Sequence, residues 1–234
     1  MSGSVPTITP VGLALAFLPA LVVLAVMARW RAGAGSALHA TARMLAQLLL
    51  IGYVLIAIFE SDDWRIIGAV LLVMLLAAGW IAIRPLGART ARSYGVALAA
   101  IAVGGVPTLA LVTQAVVRVD PWFSPRFVVP LAGMIFAGAM NAVSLAAERV
   151  AAELERGVPF DEARRTALRA ALIPILNSLF AVGLVSLPGM MTGQILSGVS
   201  PLIAAKYQIV VMTMLFGSTG MAAATYLVLR ERAA

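Results

Sequence analysis

The chain has 234 residues, 62% of them hydrophobic and only 12% charged, whereas soluble domains carry roughly 25% charged residues. This composition excludes a soluble globular domain and predicts an integral membrane protein. The net charge of +7 does not indicate nucleic-acid binding, because the basic residues lie in short runs between apolar stretches. The absence of cysteine excludes disulfides and thiolate metal sites.

Seven apolar runs follow one another along the chain, each long enough to cross a hydrocarbon core of roughly 30 Å. They predict an all-α integral membrane protein of about seven transmembrane helices. No basic residue precedes the first run, whereas Arg29 and Arg31 follow it, which is the reverse of a signal peptide and indicates a retained span with its N-terminus outside. The runs are residues 11–28, 44–59, 66–83, 94–117, 127–147, 172–196 and 207–229.

The basic residues are divided unequally between the two sides that these runs define. Thirteen of the seventeen lie on the side that receives the C-terminus. Cytoplasmic loops are enriched in Lys and Arg, so the division predicts a cytoplasmic C-terminus. The whole chain, residues 1–234, is then a single transmembrane domain embedded in the lipid bilayer. The four basic residues on the outer side are Arg65, Arg118, Arg126 and Lys206.

The one long cytoplasmic connection, residues 148–171, contains five acidic residues and five arginines. Gly157 and Pro159 predict a break into two short helices. The second has an apolar face at helical spacing, which predicts an amphipathic helix lying at the membrane surface. Two interpretations are open, a solvated linker or a docking helix for a cytoplasmic partner. The docking candidates are Gly157, Phe160, Asp161, Glu162, Arg164, Arg165 and Arg169.

The run 172–196 contains two prolines and several glycines, which predict a broken or kinked helix. Backbone groups freed at membrane depth must face protein or a water-filled path. Any single glycine is as well explained by packing, but the cluster 186–193 favours a translocation pathway or gate, and Gly189 with Gly193 is a small-xxx-small pair. The pathway candidates are Asn141, Asn177, Ser186, Pro188, Gly189, Met190, Met191, Gly193, Lys206 and Gln208.

Four blocks of sequence carry a family resemblance. RMLAQLLLIGYVL (43–55), VPLAGMIFAGAMNAVSLA (129–146), RAALIPILNSLFAVGLVSLPGMMTG (169–193) and the later AAKYQIVVMTML resemble, in the same order, the FetB (YbbM) family of bacterial ABC transporter permeases, associated with iron export. The chain departs from that family in its cytoplasmic connection, which is roughly one helical turn shorter between Gly157 and RAALIP.

The resemblance implies a permease subunit of an ABC exporter in the bacterial inner (plasma) membrane. Its partners would be a separate cytoplasmic ABC ATPase and a second permease copy in a homodimer. ATP and magnesium would bind that ATPase, with no cofactor on this chain. Consistently, the phosphate-binding pattern G-x-x-x-x-G-K-[ST] is absent, since the only lysine, Lys206, is followed by tyrosine.

Other chemistries find little support in the sequence. The sole histidine, His39, lies in a connection, and the HExxH and GxSxG patterns are absent. No Asp or Glu lies at the centre of a span, which argues against an ion-coupled proton relay. The membrane runs also lack carboxylate and imidazole ligands for iron, and thioethers such as those of Met190 and Met191 suit softer ions. The residues that would bind a metal are therefore unknown. A complexed metal and a substrate that is not a metal are both open as interpretations.

Two rival functions belong to other classes. One is an ATP-independent channel or secondary carrier, and the other is a membrane scaffold that transports nothing. A dependence on a separate ATPase would distinguish the permease from both.

Overall fold

The computed structural model describes residues 7–86 and 89–231, and the regular elements within them are helical, which confirms the all-α prediction. Chain contacts divide it into two compact units, Met1–Glu60 and Ser61–Ala234. Six helical stretches of the described chain are long and apolar enough to span a membrane, close to the seven predicted. They are Pro10–Arg29, Ala34–Phe59, Trp64–Ala82, Ala91–Val116, Pro125–Glu155 and Pro201–Glu231.

The first unit contains two apolar helical segments that contact each other. Helices α1 (Pro10–Leu15) and α2 (Leu18–Arg29) form the first segment, and α3 (Ala34–Phe59) forms the second. The Thr9 hydroxyl accepts a hydrogen bond of 3.1 Å from the Gly12 amide and so begins α1. Gly33, with φ at +78°, joins α2 to α3 in a conformation that favours glycine.

The second unit packs its long helices through small side chains. Ala100, Ala132, Ala139 and Ala222 are fully buried in its core. Lipid is as apolar as the helices, so close backbone approach, rather than hydrophobicity, must hold them together. The helices are α4 (Trp64–Ala82), α5 (Ala91–Ala110) with a π-helical extension (Leu111–Val116), α6 (Pro125–Glu155), α7 (Phe160–Ala181), α8 (Gly189–Leu196) and α9 (Pro201–Glu231).

The connection 148–171 differs in part from its prediction. The break lies between Glu155 and Phe160, around Gly157 as expected, but the flanking segments are the ends of α6 and α7 and not separate short helices. No proline or glycine interrupts either segment, so each helix simply continues. The apolar face is not at the lipid surface either, because Ala163, Ala167 and Ala171 are buried in the protein core.

The run 172–196 is broken, as predicted. Helix α7 ends at Ala181 and α8 begins at Gly189, so this run supplies no single spanning helix. Residues 182–188 satisfy part of their backbone internally: the Gly183 amide donates to the Ser186 carbonyl at 2.9 Å, and the Val185 amide donates to Ala181 at 2.8 Å. Such pairing lowers the number of backbone groups that the break leaves without a hydrogen bond.

Candidate functional site

The turn between α6 and α7 is built by glycine and proline. Gly157 has φ at +76°, and its amide donates to the Leu154 carbonyl at 3.0 Å, which closes α6. Pro159 then precedes α7, and its carbonyl accepts the amides of Glu162 and Ala163. The turn therefore ends one helix and begins the next within four residues.

Arg164 ties this turn to the end of α9. Its guanidinium donates to Asp161 at 2.6 Å and to Glu231 at 3.1 Å, and it lies 5.8 Å from the centre of the Phe160 ring. Arg230, next to Glu231, donates to the Ala147 carbonyl of α6 at 3.2 Å. The C-terminal end of α9 is therefore bonded to both α6 and α7.

The remaining docking candidates are exposed on this chain. Glu162 and Arg165 are exposed beside the turn, and Arg169 is exposed about one helical turn beyond Arg165 along α7. The turn itself exposes Gly157 and the carboxylate of Asp161. The predicted docking residues thus form two groups. The braced group contains Phe160, Asp161 and Arg164, and the exposed group contains Gly157, Glu162, Arg165 and Arg169.

A cavity of about 250 Å³ lies between α6, α7 and α9. Asn141 lines it together with Ser178 and Thr219, which the sequence did not single out. The Ser178 hydroxyl donates to the Pro174 carbonyl at 2.9 Å, in the last turns of α7. Asn177, also predicted for the pathway, is exposed and does not line this cavity.

A second cavity, of about 230 Å³, lies where the N-terminal parts of α6 and α9 meet α8. Met190 lines it with Arg126 and Tyr207. Met134 of α6 lines both this cavity and the one at Asn141, so the two are neighbours along α6. Together they follow the groove between α6 and α9.

The largest of these cavities, about 490 Å³, lies between the end of α7, α8 and α9. Met191, Gln208, Met212 and Thr213 line it. Gln208 is 5% exposed, and its Oε1 has no hydrogen-bond partner in the described part of the chain. Sequence reasoning found Met191 and Gln208 but missed Met212, although its position four residues after Gln208 puts both on one helix face.

Other pathway candidates lie outside the cavities. Ser186 and Lys206 are exposed, and Pro188 is the residue before α8. A methyl group added at Gly189 or Gly193 would meet no atom within 4 Å. Among the residues that the structure describes, none therefore lies close against the Gly189 and Gly193 positions of α8. Within residues 7–86 and 89–231, no three His, Cys, Asp or Glu side chains come together as metal ligands.

The family model described as "Uncharacterised protein family (UPF0014)" matches residues 10–158 and 158–234. The chain belongs to the UPF0014 family. This match extends over nearly the whole chain, and the predicted resemblance to the FetB family is confirmed by one of the relatives below. No solved structure matches the chain.

Three relatives illustrate the range of the family. The chain is 36% identical to the probable iron export permease protein FetB of Escherichia coli, over 83% of this chain and 80% of that protein. It is 35% identical to UPF0014 membrane protein slr1647 of Synechocystis, over 76% and 74% of the two chains. It is 31% identical to the protein ALUMINUM SENSITIVE 3 of Arabidopsis thaliana, over 82% and 74%. The chain is thus a multi-pass membrane protein with a bacterial permease among its relatives.

Proposed function

We propose that the chain is the permease subunit of an ATP-driven metal exporter, powered by a separate cytoplasmic ABC ATPase. The proposal is supported by the relative named as a probable iron export permease and by the absence of a phosphate-binding loop in this sequence. The observation that carries it is the α6–α7 turn, beside which charged side chains are exposed and Arg164 joins α7 to the end of α9.

The ATPase would dock on the exposed group at this turn, Glu162 and Arg165, with the charges giving orientation and specificity. The braced group would then transmit the movement of the turn to the long helices. Because Arg164 joins α7 to Glu231 and Arg230 joins α9 to α6, displacement of the turn moves these three helices together. Each of the three cavities is lined by at least two of these helices and would change shape with them.

The break at residues 182–188 would act as the hinge of this movement. Backbone that has left the helix absorbs a change of φ and ψ more easily than a continuous helix does. A second copy of the chain would complete the transporter, and the open face of Gly189 and Gly193 on α8 allows a helix to approach closely. ATP and magnesium bind the partner ATPase in this proposal, not the permease.

Reconstitution of the purified chain with its proposed partner ATPase tests the function. We expect the two to co-purify and iron to move across the vesicle membrane only when ATP is present. A partner that binds ATP but cannot hydrolyse it should give no sustained movement, which provides the control. Movement without ATP would indicate a channel or carrier instead, and failure to associate with the ATPase would contradict the permease assignment.

A further inference from the structure

The cavity between the N-terminal parts of α6 and α9 is apolar inside and basic at its edge. Its walls include Met134 of α6, Met190 of α8 and Val210 of α9, all of which pack against the hydrophobic core. Among the described residues that line it, only Arg126 and Tyr207 have polar side chains. The site therefore combines about 230 Å³ of apolar space with a guanidinium group.

Lys206 adds a second positive charge near the same edge. It precedes Val210 by four residues, which places both on one face of α9, and it is exposed. Arg126 is also exposed, in the first turn of α6. The ion pairs of the described chain join other residues, 149 to 153, 161 to 164 and 164 to 231. Within residues 7–86 and 89–231, the two cations beside the cavity therefore have no carboxylate partner.

The position of these two charges is unusual for a membrane protein of the predicted orientation. Only four of the seventeen basic residues lie on the predicted outer side, since Lys and Arg are concentrated in cytoplasmic loops. Two of those four, Arg126 and Lys206, border one cavity. Extension of long side chains into the bulk headgroup layer accounts for the charges, but not for the apolar cavity beside them.

A ligand with an anionic head and an apolar chain matches both parts of the site. Basic pockets between transmembrane helices bind lipid headgroups, and an apolar chain supplies the dispersion contacts that an empty space forfeits. We infer that the cavity binds one acyl chain of an anionic phospholipid, whose phosphate lies at Arg126 and Lys206. Tyr207 carries a hydroxyl that can donate to the same headgroup. A zwitterionic phospholipid would fill the apolar part but would leave the two positive charges uncompensated.

The bound chain would contact three helices at once. Residues of α6, α8 and α9 line the cavity, and the α8 residue is Met190, two positions after Pro188 at the end of the break. The lipid would therefore hold the start of α8 against α6 and α9. Any effect of the lipid on transport rests on the proposed function, whereas its binding does not.

Lipid titration of the purified, delipidated full-length chain, followed by native mass spectrometry, tests the site without any ATPase. Phosphatidylglycerol is compared with phosphatidylcholine that carries the same acyl chains. One basic residue near an anionic lipid raises the affinity about fivefold, so two should give the first phosphatidylglycerol a preference of roughly 25-fold. Glycerol phosphate at millimolar concentration should not displace this lipid, because it lacks the acyl chain.

Substitutions test the two parts of the site separately. Arg126→Gln should lower the affinity for phosphatidylglycerol about fivefold and leave that for phosphatidylcholine unchanged, and the further change Lys206→Gln should remove the preference. Arg65→Gln removes the same charge from an exposed position of α4 and should keep the preference. Val210→Phe should weaken the binding of both lipids, because its ring occupies the space of the acyl chain. Val73→Phe, at an exposed position of α4, is the matched control.

Circular dichroism before the addition of lipid checks that each variant is folded. If Val210→Phe does not fold, the charge variants still decide the result, because Arg126 and Lys206 are exposed. Equal affinity of the parent for the two lipids, an equal loss in Arg65→Gln, displacement by glycerol phosphate, or unchanged binding in folded Val210→Phe would overturn the inference. The ATP-dependence of transport is measured in a different assay, so failure of the lipid site is distinguishable from failure of the proposed function.

Discussion

Gly104→Ala is expected to destabilise the chain by about 3 kcal/mol, at the upper end of the usual effects of overpacking. A Cβ at this position would lie 2.6 Å from the Ser218 carbonyl oxygen and 2.7 Å from the Ala222 nitrogen. Both are backbone atoms of α9, so the clash cannot be relieved by a change of rotamer and must push α5 and α9 apart. Reversible unfolding of the detergent-solubilised protein, followed by circular dichroism, measures the difference in free energy.

Gly95→Ala provides the control in the same helix. A methyl group at Gly95 would meet no atom within 4 Å, and alanine favours helix over glycine by about 1 kcal/mol. We therefore expect this variant to be as stable as the parent or slightly more stable. Similar destabilisation by both substitutions would mean that backbone flexibility, and not the contact between α5 and α9, makes Gly104 necessary.

The contrast between these glycines shows what the sequence can and cannot predict. Mean hydropathy is a local property, so the apolar runs and the all-α class follow from the sequence directly. The partner of a small residue is not local. The sequence pointed to Gly189 and Gly193 as a packing pair, yet neither has a close neighbour within the described part of the chain, whereas Gly104 lies against α9. A glycine in an apolar helix has the same neighbours in sequence whether it faces lipid or another helix.

The connection at residues 148–171 illustrates a second limit. Gly157 and Pro159 correctly located the end of α6 and the start of α7, because their backbone preferences act on the chain locally. The apolar face of α7 was also recognised, but it was assigned to the membrane surface. Helical spacing of apolar residues indicates only that one face of the helix avoids water. Whether Ala163 and Ala167 meet lipid or protein depends on α6 and α9, which the pattern does not contain.

For the same reason, the sequence predicted only some of the residues that line the cavity between α7, α8 and α9. Met191 and Gln208 stood out individually, as a thioether in a glycine-rich segment and as an amide in an apolar run. Their convergence with Met212 on one cavity depends on how α8 returns against α9 after the break at residues 182–188. Only the i, i+4 relation between Gln208 and Met212 was available from the sequence. Only the folded structure shows that α8 contributes Met191 to the same cavity.

Reversal of two charges, Glu162→Lys with Arg165→Glu, is expected to weaken association with the ATPase by about 30-fold or more. Truncating one partner of a buried charge pair at an interface costs roughly 2–5 kcal/mol, and reversal adds repulsion. Both side chains are exposed beside the α6–α7 turn, so the variant should fold and unfold as the parent does. Pull-down or surface plasmon resonance with the purified ATPase measures the affinity, and Arg65→Glu, exposed on the predicted outer side, is the control.

Arg164→Gln separates docking from transmission in the same assay. It removes the ion pairs to Asp161 and Glu231 while leaving Glu162 and Arg165 in place. The ATPase should still bind with an affinity close to that of the parent, but less substrate should move for each ATP hydrolysed, because α7 is no longer tied to the end of α9. If the charge-reversed variant retained full ATP-dependent transport, the turn would not be the docking site. If Arg164→Gln instead lost ATPase binding, Arg164 would belong to the docking surface itself and not to the connection behind it.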